Sequence, residues 1–130
     1  MIQAPKENFS LVTNDPRFKK GITLFNSSEW YLAHDYFEDL WHETDGQERR
    51  TIQGILQIAV AQIHLERGNR NGAIILYGEG LGRLKRFGTP ELGLDIKSFC
   101  KIVASRLKLL QEGNDPEICA LPFLATSLSE

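Results

Sequence analysis

The sequence has little cysteine and no long apolar run, and each shortage excludes a class of protein. Its two cysteines, Cys100 and Cys119, lie far apart without a CxxC spacing. We therefore expect two small buried hydrophobes, with neither a disulfide nor a metal pair. No stretch approaches the roughly 20 apolar residues that a membrane-spanning helix needs. Because the first residues also lack the order of a secretory signal, we expect a cytoplasmic protein.

Neither sign of charge is in clear excess. Fifteen basic and 17 acidic residues give a net charge of -2. A nucleic-acid or membrane-surface protein usually carries a basic face, so we expect neither partner. The 130 residues, 42% hydrophobic and 25% charged, fit one globular domain over residues 1–130.

Sustained alternation of apolar and polar residues is absent, whereas helical spacing recurs along the chain. The pattern predicts an all-α fold, a compact bundle of about five helices built from antiparallel helical hairpins. We place an N-terminal arm over residues 1–14, where Phe9 and Leu11 could pack against the body, and a C-terminal tail over residues 115–130. The expected helices lie near residues 16–25, 29–43, 46–67, 70–87 and 95–112.

Short polar residues mark where these helices begin. Asp15 followed by Pro16 is typical of a first helical turn, and Asn69 can cap the fourth helix. Asn26 and Asp45 each stand three residues before a glutamate, the spacing of a capping box, although either serine after Asn26 could serve instead. These positions predict four helix starts.

Two further features concern packing. Gly54 lies inside the most apolar helix, which suggests that a neighbouring helix approaches closely there. The apolar tail after Pro116 is expected to lie as a strap over the bundle or over a second subunit, which would make the protein a homodimer.

One set of polar residues lies on otherwise apolar helix faces. In the second helix the set shares a face with Trp41, and in the third helix its members recur four and seven residues apart. If the two faces meet, they form one pocket. The candidate site residues are His34, Glu38, Trp41, Gln53, Gln57 and His64.

Three interpretations of this cluster remain open. It could be a buried hydrogen-bond network that fixes helix register. His34, Glu38 and His64 could bind a metal or ligand, although glutamines are poor zinc ligands and no HExxH motif is present. The same His and Glu could act as base and orienting carboxylate, but no nucleophile lies beside them. The pattern assigns no catalytic residue, no metal and no cofactor.

The same residues carry a family resemblance. Phe25-Asn26-x-x-Glu29-x-Tyr31-x-Ala33-His34-x-x-x-Glu38-x-Leu40-Trp41, followed by Gln53-Gly54-x-x-Gln57-x-Ala59-x-Ala61-x-x-His64-x-x-x-Gly68-Asn69-x-x-Gly72-Ala73, resembles the uncharacterised prokaryotic family called domain of unknown function 309. Asp35 departs from it, since the family more often has Glu after the His. The serines at 27 and 28 stand where the turn usually has Gly.

The resemblance implies a compact helical fold marked by the same polar residues, and it implies no activity, substrate or cofactor. The first motif is also similar to a tetratricopeptide-type hairpin, but no second copy follows at the expected period.

From the sequence we expect a small non-catalytic interaction or scaffold protein. Its partners would be a second copy of itself, a protein or an unknown small ligand. The alternative is a small hydrolase-like enzyme that binds a metal or ligand through His34, Glu38 and His64.

Overall fold

The structure is a computed structural model that describes residues 12–85 and 91–127. It confirms the all-α bundle. The helices are α1 (Pro16–Asn26), α2 (Trp30–His42), α3 (Gly46–Glu66), α4 (Arg70–Leu84) and α5 (Ile96–Gln111), followed by a 3₁₀ turn at Pro116–Ile118. Residues 1–11 of the expected arm, with Phe9 and Leu11, lie outside the described residues. So does the break expected at residues 88–90, and the single domain over 1–130 stays a prediction.

Local polar residues start three of the helices. The Asp15 carboxylate accepts the Arg17 backbone N–H at 2.8 Å, with Pro16 in the first helical position. Asn69 accepts the Gly72 backbone N–H at 2.9 Å. A carboxylate or amide at this position replaces the missing acceptor of the first turn, so the caps predicted at Asp15 and Asn69 are confirmed. Asp95 caps α5 in the same way.

Two predicted capping boxes were wrong. Neither α2 nor α3 has a side-chain cap, although Asp45 occupies the capping position of α3. Asn26 is the last residue of α1, and its amide pairs with the backbone of Leu124 in the tail at 2.8 and 3.0 Å. A tertiary contact thus uses the side chain that the local pattern assigned to a cap.

Helix α3 is the centre of the bundle. It packs between α2 and α4, while α1 packs on α2 and α5 packs on α4. Residues around much of its circumference are buried, as its apolar sequence predicted. None of the helices in the described ranges is both long and apolar enough to cross a membrane.

The backbones of α3 and α4 approach closely at two glycines. A Cβ atom on Gly80 would lie 2.9 Å from the Gly54 carbonyl oxygen, and one on Gly54 would lie 2.7 Å from Cγ of Leu84. The close approach expected at Gly54 is therefore confirmed. Neither contact could be kept with a side chain at these two positions.

Residues 115–127 of the C-terminal tail lie on their own bundle, the first of the two arrangements expected for the tail, and residues 128–130 lie outside the described residues. Leu124 is buried beside Asn26, and the Asp95 and Ser127 backbone N–H groups donate to the carbonyls of Ala125 and Gly93. On α5, beneath the start of this tail, the side chain of Arg106 is fully buried.

Arg106 binds the start of the tail through both terminal nitrogens of its guanidinium group. Nη2 donates to the Glu117 carboxylate at 2.7 Å. Nη1 donates to three backbone carbonyls, those of Pro116, Cys119 and Ala120, at 3.0 to 3.3 Å. Because a buried guanidinium must replace its water with acceptors, this side chain fixes where the tail can lie.

We predict opposite effects for alanine at two glycines of α4. Gly80→Ala should lower the free energy of unfolding by about 1–3 kcal/mol, because the new methyl group overlaps the α3 backbone. Gly78→Ala should raise it by up to about 1 kcal/mol, because nothing lies within 4 Å of its added Cβ and alanine favours the helix. Urea unfolding measures both, and equal effects would contradict the close approach.

Replacing Arg106 should destabilise the fold and release the tail. We expect Arg106→Ala to cost about 3 kcal/mol, because it leaves buried acceptors unpaired and removes a packed side chain. Lys108→Ala, at an exposed position of the same helix, should change stability by no more than about 0.5 kcal/mol. Urea unfolding combined with hydrogen exchange of the tail amides tests this, and retained protection of the Cys119 and Leu124 amides in the Arg106 variant would disprove the anchoring role.

Candidate functional site

Most of the predicted polar residues meet in an open groove along α3. Helices α2 and α4 form its walls, and the space it encloses is about 200 Å³. We call it the α3 groove. The residues that line it are Glu38, Trp41, Gln53, Leu56, Gln57, Val60 and Leu76.

Several polar side chains that line the groove have no hydrogen-bond partner in the part of the chain that the structure describes. Within the described residues, the side chains of Glu38 and Gln53 form no hydrogen bond or ion pair, and both are half-buried. The indole N–H of Trp41 is buried and also has no acceptor there. The Arg49 guanidinium covers the Trp41 ring, 4.0 Å from its centroid. A partner could therefore be bound here without breaking an internal hydrogen bond of Glu38 or Gln53.

Gln57 differs from its neighbour Gln53 because α4 already uses its amide. Its Nε2 donates to Glu79 at 2.9 Å, and its Oε1 accepts from Nε of Arg83 at 2.9 Å. Gln57 therefore connects α3 to α4 and fixes one edge of the α3 groove.

The two histidines of the predicted set lie outside the groove lining. Nδ1 of His34 donates to the Asp35 carboxylate at 3.2 Å. Nδ1 of His64 accepts from the Asn69 amide at 3.1 Å, next to the start of α4. Each ring is thus engaged by a neighbour in sequence.

Two of the arrangements weighed from the sequence are not formed. Glu38 has no hydrogen bond to His34 or to a glutamine, so the predicted network is absent at these residues. No three His, Cys, Asp or Glu side chains of residues 12–85 and 91–127 are placed to hold a metal ion, which includes the set of His34, Glu38 and His64. Helical spacing places the predicted residues on one face of each helix, but the two histidines do not join the others in the groove.

A buried network exists elsewhere, and the sequence analysis missed it. Nε of Arg106 donates to the Tyr77 hydroxyl at 2.7 Å, and that hydroxyl donates to the buried amide of Gln62. Burial raises the pKa of Tyr77 to about 12, although the nearby guanidinium acts in the opposite direction. The sequence did contain a signal for this network, because Arg106 follows Phe99 and Val103 at intervals of seven and three residues on the buried face of α5.

The comparison with known families found a match over part of the chain. Residues 18–76 match the model described as Domain of unknown function (DUF309). This segment, which is less than half of the chain, is similar to the DUF309 family. The match runs from α1 to the middle of α4 and contains every residue of the predicted set, so the resemblance is confirmed. Arg106 and the tail lie beyond the matched segment.

No curated protein matches the chain. DUF309 is defined by unknown function and supplies no activity. The assignment of the predicted set to a functional site therefore stays a prediction.

Isosteric replacement of Glu38 separates a structural role from a binding role. We expect Glu38→Gln to leave the free energy of unfolding within about 0.5 kcal/mol of wild type, because no internal bond is lost. Gln62→Leu should cost about 1–3 kcal/mol, because it leaves the buried Tyr77 hydroxyl without its acceptor. Thermal and urea unfolding test the pair, and a large loss in the Glu38 variant would show that the carboxylate is structural.

Proposed function

We propose that this protein is a non-catalytic interaction protein that binds a partner protein in the α3 groove. The observation that carries the proposal is an apolar floor beside polar groups that lack internal partners. Leu56, Val60 and Leu76 provide the floor, and Glu38 and Gln53 provide the unpaired groups. An accessible apolar surface with a polar rim is the usual composition of a protein interface.

The size of the groove supports a protein partner. At about 200 Å³ and widely open to solvent, it is smaller than the roughly 300–1,000 Å³ of typical small-ligand sites. Such a space suits one or two side chains of a larger partner. Catalysis by a His–Glu pair has less support, since each histidine bonds another residue and neither lines the groove with Glu38.

Ligand binding by a small enzyme is the second candidate. The buried, unpaired indole N–H of Trp41 favours it, because a donor in that state gains a hydrogen bond from any acceptor that reaches it. Melting curves measured with panels of metabolites and divalent metals test this reading. A shift seen with wild type and abolished by Glu38→Gln would favour the enzyme over the interaction protein. The proposal includes a cytoplasmic location and a prokaryotic origin.

Site-specific crosslinking in the native cells tests the interaction. A benzoylphenylalanine at position 50, exposed on α3 one turn before Gln53, should give a discrete adduct with a partner after irradiation. The same probe at position 105, which is exposed on α5, should give none. Filling the groove by Val60→Arg should abolish the adduct at position 50, whereas Gly78→Ala should leave it.

Two results would contradict the proposal. One is the absence of any adduct at position 50, and the other is an adduct that persists when Val60→Arg fills the groove. The melting temperature of each variant serves as the control for folding.

A further inference from the structure

The floor of the α3 groove is a helix face of the kind that other helices usually cover. Gln53, Leu56, Gln57 and Val60 follow one another at intervals of three, one and three residues, so they form a single stripe two turns long. The stripe lies between α2 and α4, which pack on α3 from either side. A third helix laid between two neighbours of a bundle would complete this packing.

An arginine stacked on an aromatic ring stands at each end of this face. Arg49 covers Trp41 at 4.0 Å, and Arg67 lies 5.4 Å from the Tyr31 ring centroid and donates to its hydroxyl. The two arginines are about five helical turns apart on α3, a length of about 27 Å. Neither has a carboxylate partner within residues 12–85 and 91–127.

Between these ends, Glu38 supplies the charge inside the α3 groove, while Glu79 and Arg83 on α4 bond the Gln57 amide at its edge. Glu38 is the only ionisable residue among those that line the α3 groove, and its carboxylate has no cationic partner in the described chain. On α2, Glu38 lies three residues from Trp41 and seven from Tyr31, so its carboxylate stands between the two stacked arginines and nearer to Arg49. A partner with complementary charge needs a cation opposite Glu38.

We propose that the α3 groove binds an amphipathic helix of a partner protein, with a lysine or arginine of that helix against Glu38. This inference rests on the proposed interaction function and names the partner's chemistry. Apolar residues at helical spacing would cover Leu56, Val60 and Leu76, and acidic residues on either side of the cation, nearer to it on the Arg49 side, would face Arg49 and Arg67.

A helix suits this surface better than an extended peptide does. Strand addition needs an exposed sheet edge, and the described ranges contain isolated bridges but no strand. The straight length of about 27 Å matches a helix of about 18 residues. An extended segment would leave its backbone groups unpaired over the apolar floor.

The test uses a phage library of 18-residue helical peptides, randomised at the central position and at the apolar and terminal positions of one face. Selection on the wild-type protein should enrich lysine or arginine at the centre. Synthetic copies of the selected peptides are then measured by fluorescence anisotropy. Affinity should fall at least tenfold for Glu38→Lys and stay within twofold for Asp39→Lys, an exposed neighbour on the same helix.

A charge swap completes the test. A peptide with glutamate in place of its central cation should bind Glu38→Lys better than it binds wild type. If selected peptides are lost with Val60→Arg or Gln53→Arg but ignore the Glu38 substitution, the cationic helix is wrong and groove binding stands. If no selected peptide responds to any of these substitutions, both proposals are overturned.

Discussion

The contact between Gly54 and Gly80 fixes the distance between α3 and α4, and the geometry of the candidate site depends on that distance. With no side chain at either position, each backbone lies against the other. At this separation the Gln57 amide can reach both Glu79 and Arg83, which holds the edge of the α3 groove. A wider spacing would separate Leu76 from the α3 stripe and remove one wall.

The resulting α3 groove is rigid, and some of its polar side chains have no hydrogen-bond partner among the described residues. Its walls are helices anchored in the core, so little conformational entropy needs to be lost when a partner binds. The unpaired groups at Glu38 and Gln53 are tolerable in the free protein because both side chains are only half-buried. Full burial under a partner would make their pairing a strict requirement, and this is how specificity arises at interfaces.

Local signals in the sequence predicted local structure well. Asp15, Pro16 and Asn69 act on backbone groups within three residues, so their positions alone were enough to place helix starts. Asn26 had an equally good local pattern, yet its amide binds Leu124, and no short-range rule contains that distant partner. The helices were thus predictable, while competition between local and tertiary bonds was not.

The same distinction applies to the candidate site. Helical spacing correctly brought Glu38, Trp41, Gln53 and Gln57 to one groove, because faces of adjacent antiparallel helices meet. Spacing could not show that Asp35 and Asn69 would engage the two histidines first.

Anchoring by Arg106 leaves the identity of most tail residues free. Three of its acceptors are backbone carbonyls, which every amino acid supplies, so exchange of side chains in this stretch would not remove them. Ile118, Leu121 and Phe123 stay exposed while the chain beneath them is held. The tail can therefore accumulate substitutions, or accept a grafted recognition sequence, without losing its course over the bundle.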